Sequence, residues 1–214
     1  MFEHKFYKTY DLERVDTENG RMYRTPSGNL YYSVTTILEK LSREKLAKWR
    51  ENVGDETANK IRIQAARRGS AVHSICEKYL LNEQDYCYGA MPSNIDMFNQ
   101  LKPIITENIQ TVFGVELRMY SDQLKAAGTT DCLCLWNGKP TIVDFKTSRY
   151  KKTEDMITNY FLQASAYSIM AKELYNCLCE QIVIIIGVDH EQPQVICKDP
   201  AQYYPTVFNV FSNN

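Results

Sequence analysis

The dipeptide Asn137-Gly138 constrains this chain more tightly than any other pair in it. Asn-Gly between two β-rich runs favours a two-residue hairpin turn, because both residues tolerate positive φ. Cys132, Leu133, Cys134, Leu135 and Trp136 precede it, and Thr141, Ile142, Val143 and Phe145 follow. A two-residue loop pairs Trp136 with Lys139, Leu133 with Ile142, and Asp131 with Asp144. Strand alternation then puts Asp144 and Lys146 on the face of Ile142, with Val143 and Phe145 on the other. Like charges placed opposite across a ladder destabilise a sheet. A divalent metal with Lys146 beside it is the economical remedy; the plainer alternative is a surface hairpin carrying a solvated Asp-Lys pair.

With 214 residues the chain is long enough for one well-cored domain with a helical elaboration. At 44% hydrophobic and 24% charged it has an ordinary globular composition. No apolar run approaches the ~20 residues of a membrane helix. The opening MFEHKFYKTYDLERVD mixes acids and bases without an apolar core, so neither a secretory signal nor a transit peptide is expected. The seven cysteines form no CxxC pair and no disulfide-like framework, which favours a reducing cytoplasm. A net charge of −1 gives no global basic field, so a polyanion must be met by local patches.

Periodicity divides the rest. The first thirty residues read as short strands around turns, Thr25-Pro26-Ser27-Gly28 being the clearest. From Ser33 the pattern is helical, with Val34, Ile37, Leu38 and Leu41 on one stripe and Trp49 in a second piece. A helical zone follows over residues 56–81, with a break near Gly69 and Ser70 as a cap. Further helices are expected over 95–108 and 154–175, with strands over 112–120, 127–136, 140–147, 181–188 and 193–197. A helical or irregular tail closes the chain.

Asp131, Asp144 and Lys146 suit phosphodiester hydrolysis. Carboxylates that hold Mg²⁺ or Mn²⁺ supply a nucleophilic hydroxide and neutralise phosphate charge, and a lysine orients or deprotonates the water. Asp131 followed by Asp144-Phe145-Lys146 resembles the D…(D/E)xK signature of the PD-(D/E)xK nuclease superfamily. The wording GTTD…VDFKTS is similar to its RecB-type exonuclease branch. QASAY (Gln163 to Tyr167) resembles that branch's QxxxY helix, and RRGSAVHSICEKYL its upstream histidine helix. YYSVTTILEKL and LAKWRENVGDETANKI are similar to mitochondrial genome maintenance exonucleases and their phage relatives.

The resemblance implies an α/β fold: a restriction-endonuclease-like core with a mixed sheet of about four strands flanked by helices, and an N-terminal helical arch. It implies a single nuclease domain over 1–214, with a helical elaboration over 33–110 and a catalytic core over 112–188. Lys146, Asp131, Asp144, Gln163 and Tyr167 become the catalytic candidates. The metal candidates are His73, Asp131, Asp144, Glu116 and the backbone carbonyl of Phe145. Glu77, four residues beyond His73, either orients it or faces water. Arg62, Arg67, Arg68, Arg149, Lys151 and Lys152 flank these motifs and are the DNA-binding candidates, with Trp49, Tyr79 and Tyr160 available to stack on bases.

The implied function is a Mg²⁺- or Mn²⁺-dependent exonuclease acting on single-stranded DNA or free DNA ends in replication, recombination or repair, with possible protein partners from those processes. An endonuclease on the same core, or a non-catalytic end-binding accessory protein, are the alternatives. Some members of the branch carry an iron–sulfur cluster, but Cys177, Cys179 and Cys197 lack its spacing, so none is expected. Cys132 and Cys134 have no matched second pair for a structural zinc.

Overall fold

The computed structural model describes residues 1–212. The hairpin forms as its turn residues dictate: β6 (Ala126–Trp136) and β7 (Lys139–Ser148) pair antiparallel from Trp136↔Lys139 to Cys132↔Val143. Asn137 and Gly138 take φ of 50° and 80°, the signs the turn requires. The ladder ends one position short of Asp131 and Asp144. There the Asp131 carboxylate accepts the Phe145 N–H at 2.7 Å, so a side chain replaces the backbone partner.

Among the described residues the sheet has nine strands, not about four. The additional strands come mostly from the N-terminus: β1 (Glu3–His4), β2 (Glu13–Thr17), β3 (Gly20–Arg24) and β4 (Leu30–Ser33) all join it. The path runs β2-β3-β4-β6-β7-β8-β9, where β8 is Gln181–Val188 and β9 is Gln194–Lys198. β5 (Ile109–Ser121) pairs with β6 on its other side and with β1. Three pairings are parallel, β1 with β5, β4 with β6, and β7 with β8, so the sheet is mixed.

One edge of β6 is shared. β4 occupies it at Ala126 and Ala127, and β7 takes it from Cys132 onward. Residues 128–131 lie in the opening between those partners, while β5 continues along the other edge.

Helices cover both faces. On one, α4 (Thr158–Tyr175), α5 (Tyr204–Ser212) and the first turns of α1 (Val34–Val53) bury Ile142, Ile182 and Ile184 under Phe161, Leu162 and Met170. On the other, α2 (Asp55–Leu80) and α3 (Pro92–Asn108) bury Val143, Phe145, Val183 and Ile185 under Val72, Ile75, Phe98 and Leu101. Strand β8 is hydrophobic at nearly every position because it is covered twice.

Ser33 caps α1, its hydroxyl accepting the Thr36 N–H at 3.0 Å. Leu41 and Leu46 lie beyond the packed turns and are about half exposed. The expected break at Gly69 is absent: α2 runs through it, and Ser70 sits inside the helix rather than capping one. A helical glycine costs about 1 kcal/mol against alanine, and the burial of Val72, Ile75, Cys76 and Leu80 on the sheet outweighs that. Gly54, at φ 81°, joins α1 to α2, and the end of α1 and the start of α2 on either side of it are largely exposed. Among the described residues, no helix is long and apolar enough to cross a membrane.

Candidate active site

A cavity of about 400 Å³ opens where β6 changes partner. His73 reaches it from α2, Glu116 from β5, Asp131 from β6, Lys146 from β7, and Gln163 and Tyr167 from α4. Residues more than ninety positions apart in sequence thus meet at one gap in the sheet.

His73 Nδ1 lies 3.5 Å from Asp131 Oδ1. His73, Glu116 and Asp131 each offer one donor atom, and the three lie within 4.8 Å of one another. Glu116 has φ 45°, a conformation that costs a non-glycine residue of order 1–3 kcal/mol. It falls between the paired Val115↔Cys132 and Leu117↔Thr130, opposite Asp131. Burial pushes the Glu116 carboxyl up to about 7, with Asp131 and Glu77 adding to the rise and His73 opposing it. Burial works against the charge on His73, but Asp131 outweighs it and holds the imidazole above its ordinary value. Burial likewise opposes ionisation of Asp131; His73, Lys146 and the Phe145 N–H overcome it and lower its pKa.

Asp144 stands apart from that trio. It is 2% exposed, ion-paired with Lys146, and accepts a hydrogen bond from Gln163 Nε2 at 3.1 Å. Burial pushes its pKa to about 6 against the pull of Lys146. Burial would lower Lys146, but Asp144 and Asp131 raise it, so the ammonium keeps its proton at neutral pH. Its Nζ also sits 5.1 Å from the centre of the Tyr160 ring. The Phe145 ring meets His73 edge-on at 6.4 Å.

The GTTD and QASAY motifs touch. A Cβ on Gly128 would lie 2.6 Å from the Tyr167 hydroxyl, so only glycine lets the buried tyrosine pack there. Gln163, one turn away, fixes Asp144 rather than reaching Lys146 directly.

The basic candidates have unequal surroundings. Arg68 is bound to Asp189 at 2.6 Å and to Thr147 Oγ1 at 3.3 Å, bridging α2 to the ends of β7 and β8. Arg149 donates to Gln64 at 2.8 Å, and Lys151 pairs with Glu191 at 3.4 Å. Arg62 and Arg67 lie exposed on the first half of α2. A second cavity, of about 420 Å³, is lined by Arg68, Arg149, Lys152, Trp49 and Tyr160, with walls from α1, α2 and the end of β7. Tyr79, considered above for base stacking, is instead packed among Phe2, Tyr86 and Phe98 and bonded to Thr106. Its place on the α2–α3 side leaves it off the lining of both cavities.

Arg21, Tyr23, Ser33 and Thr35 also line the first cavity. Sequence reading missed them as site residues, because nothing in a turn-rich N-terminus signals which strand edge it will join. The Ser33 cap preceding Thr35 and Thr36 was the available clue.

No family model matches the chain. In sequence it is 26% identical over 146 residues to mitochondrial genome maintenance exonuclease 1 of Mus musculus. The match covers 63% of this chain and 42% of the mouse protein, so the chain spans well under half of that relative. Among solved structures, a Eubacterium rectale protein provisionally described as an exonuclease overlaps 68% of each chain, at 12% identity and a TM-score of 0.43. An overlap of that size does not by itself define a shared fold. The sequence similarity supports a nuclease relationship.

Proposed function

We propose that the protein is a divalent-metal-dependent DNA exonuclease built on a PD-(D/E)xK core, with residues 1–214 acting as one nuclease unit. The observation that carries this reading is the gathering of His73, Glu116 and Asp131 within 4.8 Å of one another, beside the buried Asp144–Lys146 pair. The donor set fits a divalent cation: one imidazole and two carboxylates, one of them held in a costly backbone conformation facing the other. Asp144 and the Phe145 carbonyl would complete the ligands. Imidazole suits Mn²⁺ somewhat better than Mg²⁺.

When bound, the metal supplies an acidified water and neutralises charge on the phosphate. Lys146, protonated and fixed by Asp144, orients the attacking water and offsets phosphate charge. Gln163 holds Asp144 in place, and Tyr167 locks α4 onto β6 through Gly128. The basic cavity with Trp49 and Tyr160 suits a single strand, whose phosphates meet Arg149 and Lys152 while bases stack on the rings. α1 and α2 both wall that cavity, and a strand passing between them would be threaded from an end. Replication, recombination or repair is the fitting setting.

The test uses linear single-stranded DNA labelled at either end and a covalently closed circle of the same sequence, with Mg²⁺, Mn²⁺ or chelator. Metal-dependent loss of the linear strand with survival of the circle is expected. Equal loss of both makes the protein an endonuclease, and binding without cleavage makes it an end-binding accessory protein.

A further inference from the structure

Besides Lys146, a wall of the cavity carries an arginine, which comes from a segment outside the nuclease motifs. Arg21 sits on β3 and lines the cavity together with Thr35. Its placement is tightly built. Thr36 Oγ1 accepts the Arg21 N–H at 3.1 Å and donates to the Arg21 carbonyl at 3.3 Å, clamping β3 to the first turn of α1. Ser33 Oγ donates to the same Thr36 hydroxyl at 2.8 Å and lies 3.0 Å from Thr35 Oγ1. Gly20 makes the clamp possible: at φ 120°, a Cβ there would lie 2.4 Å from Thr36 Cγ2.

The Arg21 side chain is 41% exposed and has only a long ion-pair contact, while one of its nitrogens is shut away from water. Arg21 Nε is buried and has no hydrogen-bond partner. The acid facing it, Asp16, is 4.0 Å away and is already held by three hydrogen bonds from Arg14. A buried N–H of a charged group left unpaired is costly, and such groups in native proteins are ordinarily satisfied by an anion or water. The cavity that Arg21 lines is where an anionic acceptor can reach it. A phosphate diester suits it on two counts: guanidinium binds phosphate through paired hydrogen bonds, and the start of α1, where Thr35 lies, carries the positive end of a helix dipole.

We propose that Arg21 and Thr35 form a phosphate subsite for a nucleotide next to the scissile one, so that the DNA backbone is held between this wall and Lys146. The proposal rests on the nuclease reading and deepens it, by assigning a substrate contact to the N-terminal hairpin. Arg24 provides the control: it lies on the same strand but is exposed and paired with Glu13 at 2.9 Å.

The measurement is fluorescence anisotropy of a short single-stranded DNA in chelator, over a salt series, so that cleavage plays no part. Arg21→Ala is expected to weaken binding roughly tenfold and to make the slope of log K against log salt shallower by about 0.7, the value for one phosphate contact on a single strand. Arg21→Lys should recover the slope but only part of the affinity, since an ammonium lacks the paired donors. Arg24→Ala should bind as the unaltered protein does. If Arg21→Ala keeps both affinity and slope, or Arg24→Ala loses as much, the subsite is overturned while the nuclease reading stands. Failure of the unaltered protein to bind DNA at all would overturn both.

Discussion

Asp144 and Gly128 show how little room the site leaves at the scale of single residues. Asp144 is sealed between Lys146 and Gln163, so its charge acts through a fixed geometry rather than through solvent. Asp144→Asn keeps the shape but loses the charge that Lys146 and a metal need. Asp131→Asn removes a metal donor, and Lys146→Ala removes the cation that orients water. Each should lower turnover by at least ~10²-fold while the protein remains folded, as judged by circular dichroism. Full activity in Asp144→Asn would remove it from the site. Gly128 gives a sharper test of packing. Gly128→Ala forces the Tyr167 hydroxyl away from a 2.6 Å approach, an overpacking that typically costs 1–3 kcal/mol. Tyr167→Phe removes the offending oxygen, so the double variant should be more stable than the sum of the single losses implies. Strict additivity in denaturant unfolding would show that the two residues do not press on each other.

At the scale of elements, α2 does two jobs along one length. Its later turns pack Val72, Ile75 and Leu80 on the sheet, and the same turns aim His73 at Asp131. His73→Ala should therefore weaken Mn²⁺ binding by about tenfold or more in calorimetric titration, the range seen when metal-site partners are lost, with a smaller effect on melting temperature. A large fall in stability with unchanged Mn²⁺ affinity would make His73 a packing residue. The hairpin of β6 and β7 was legible because Asn137-Gly138 fixes register locally, and the observed Leu133↔Ile142 pair follows from it. The QxxxY helix was legible by its spacing, but its contact was not: Gln163 grips Asp144, a fact set by how α4 crosses β7. The continuity of α2 through Gly69 was missed because propensity is a weak guide where sheet packing holds a helix together. Arg21 could not be assigned at all, since its position depends on β4 docking beside β6, a contact between residues 32–33 and 126–127.

For the whole molecule, the site stores unfavourable charge that folding alone cannot relieve. Glu116 and Asp144 have pKa values pushed up, by burial first, to about 7 and about 6, and His73 is raised by Asp131 despite burial. A group with a raised folded-state pKa stabilises the fold below its unfolded value, and that contribution is lost as pH climbs through the folded value. All three therefore act in the same direction. In chelator, stability should fall as pH rises from about 5 to about 7, the span over which the two carboxyls lose protons, and His73 continues the decline upward from its ordinary value. Asp131 has the opposite sign, but its lowered pKa confines its effect to acid below that span. Lys146, raised from an already high value, acts only above it. Divalent metal takes the place of the departing protons, so Mn²⁺ should raise the melting temperature more at pH 7 than at pH 5. Glu116→Gln isolates one contributor: it removes a charge that the metal-free fold resists, so in chelator the decline between pH 5 and 7 should be shallower than in the unaltered protein. The same variant should gain less from Mn²⁺, because a donor is gone. Thermal melts at the two pH values, with and without Mn²⁺, separate these effects. A metal-free protein whose stability rises toward pH 7 would mean that the carboxylates are solvated and that the gap in β6 is not the closed, charge-laden site described above.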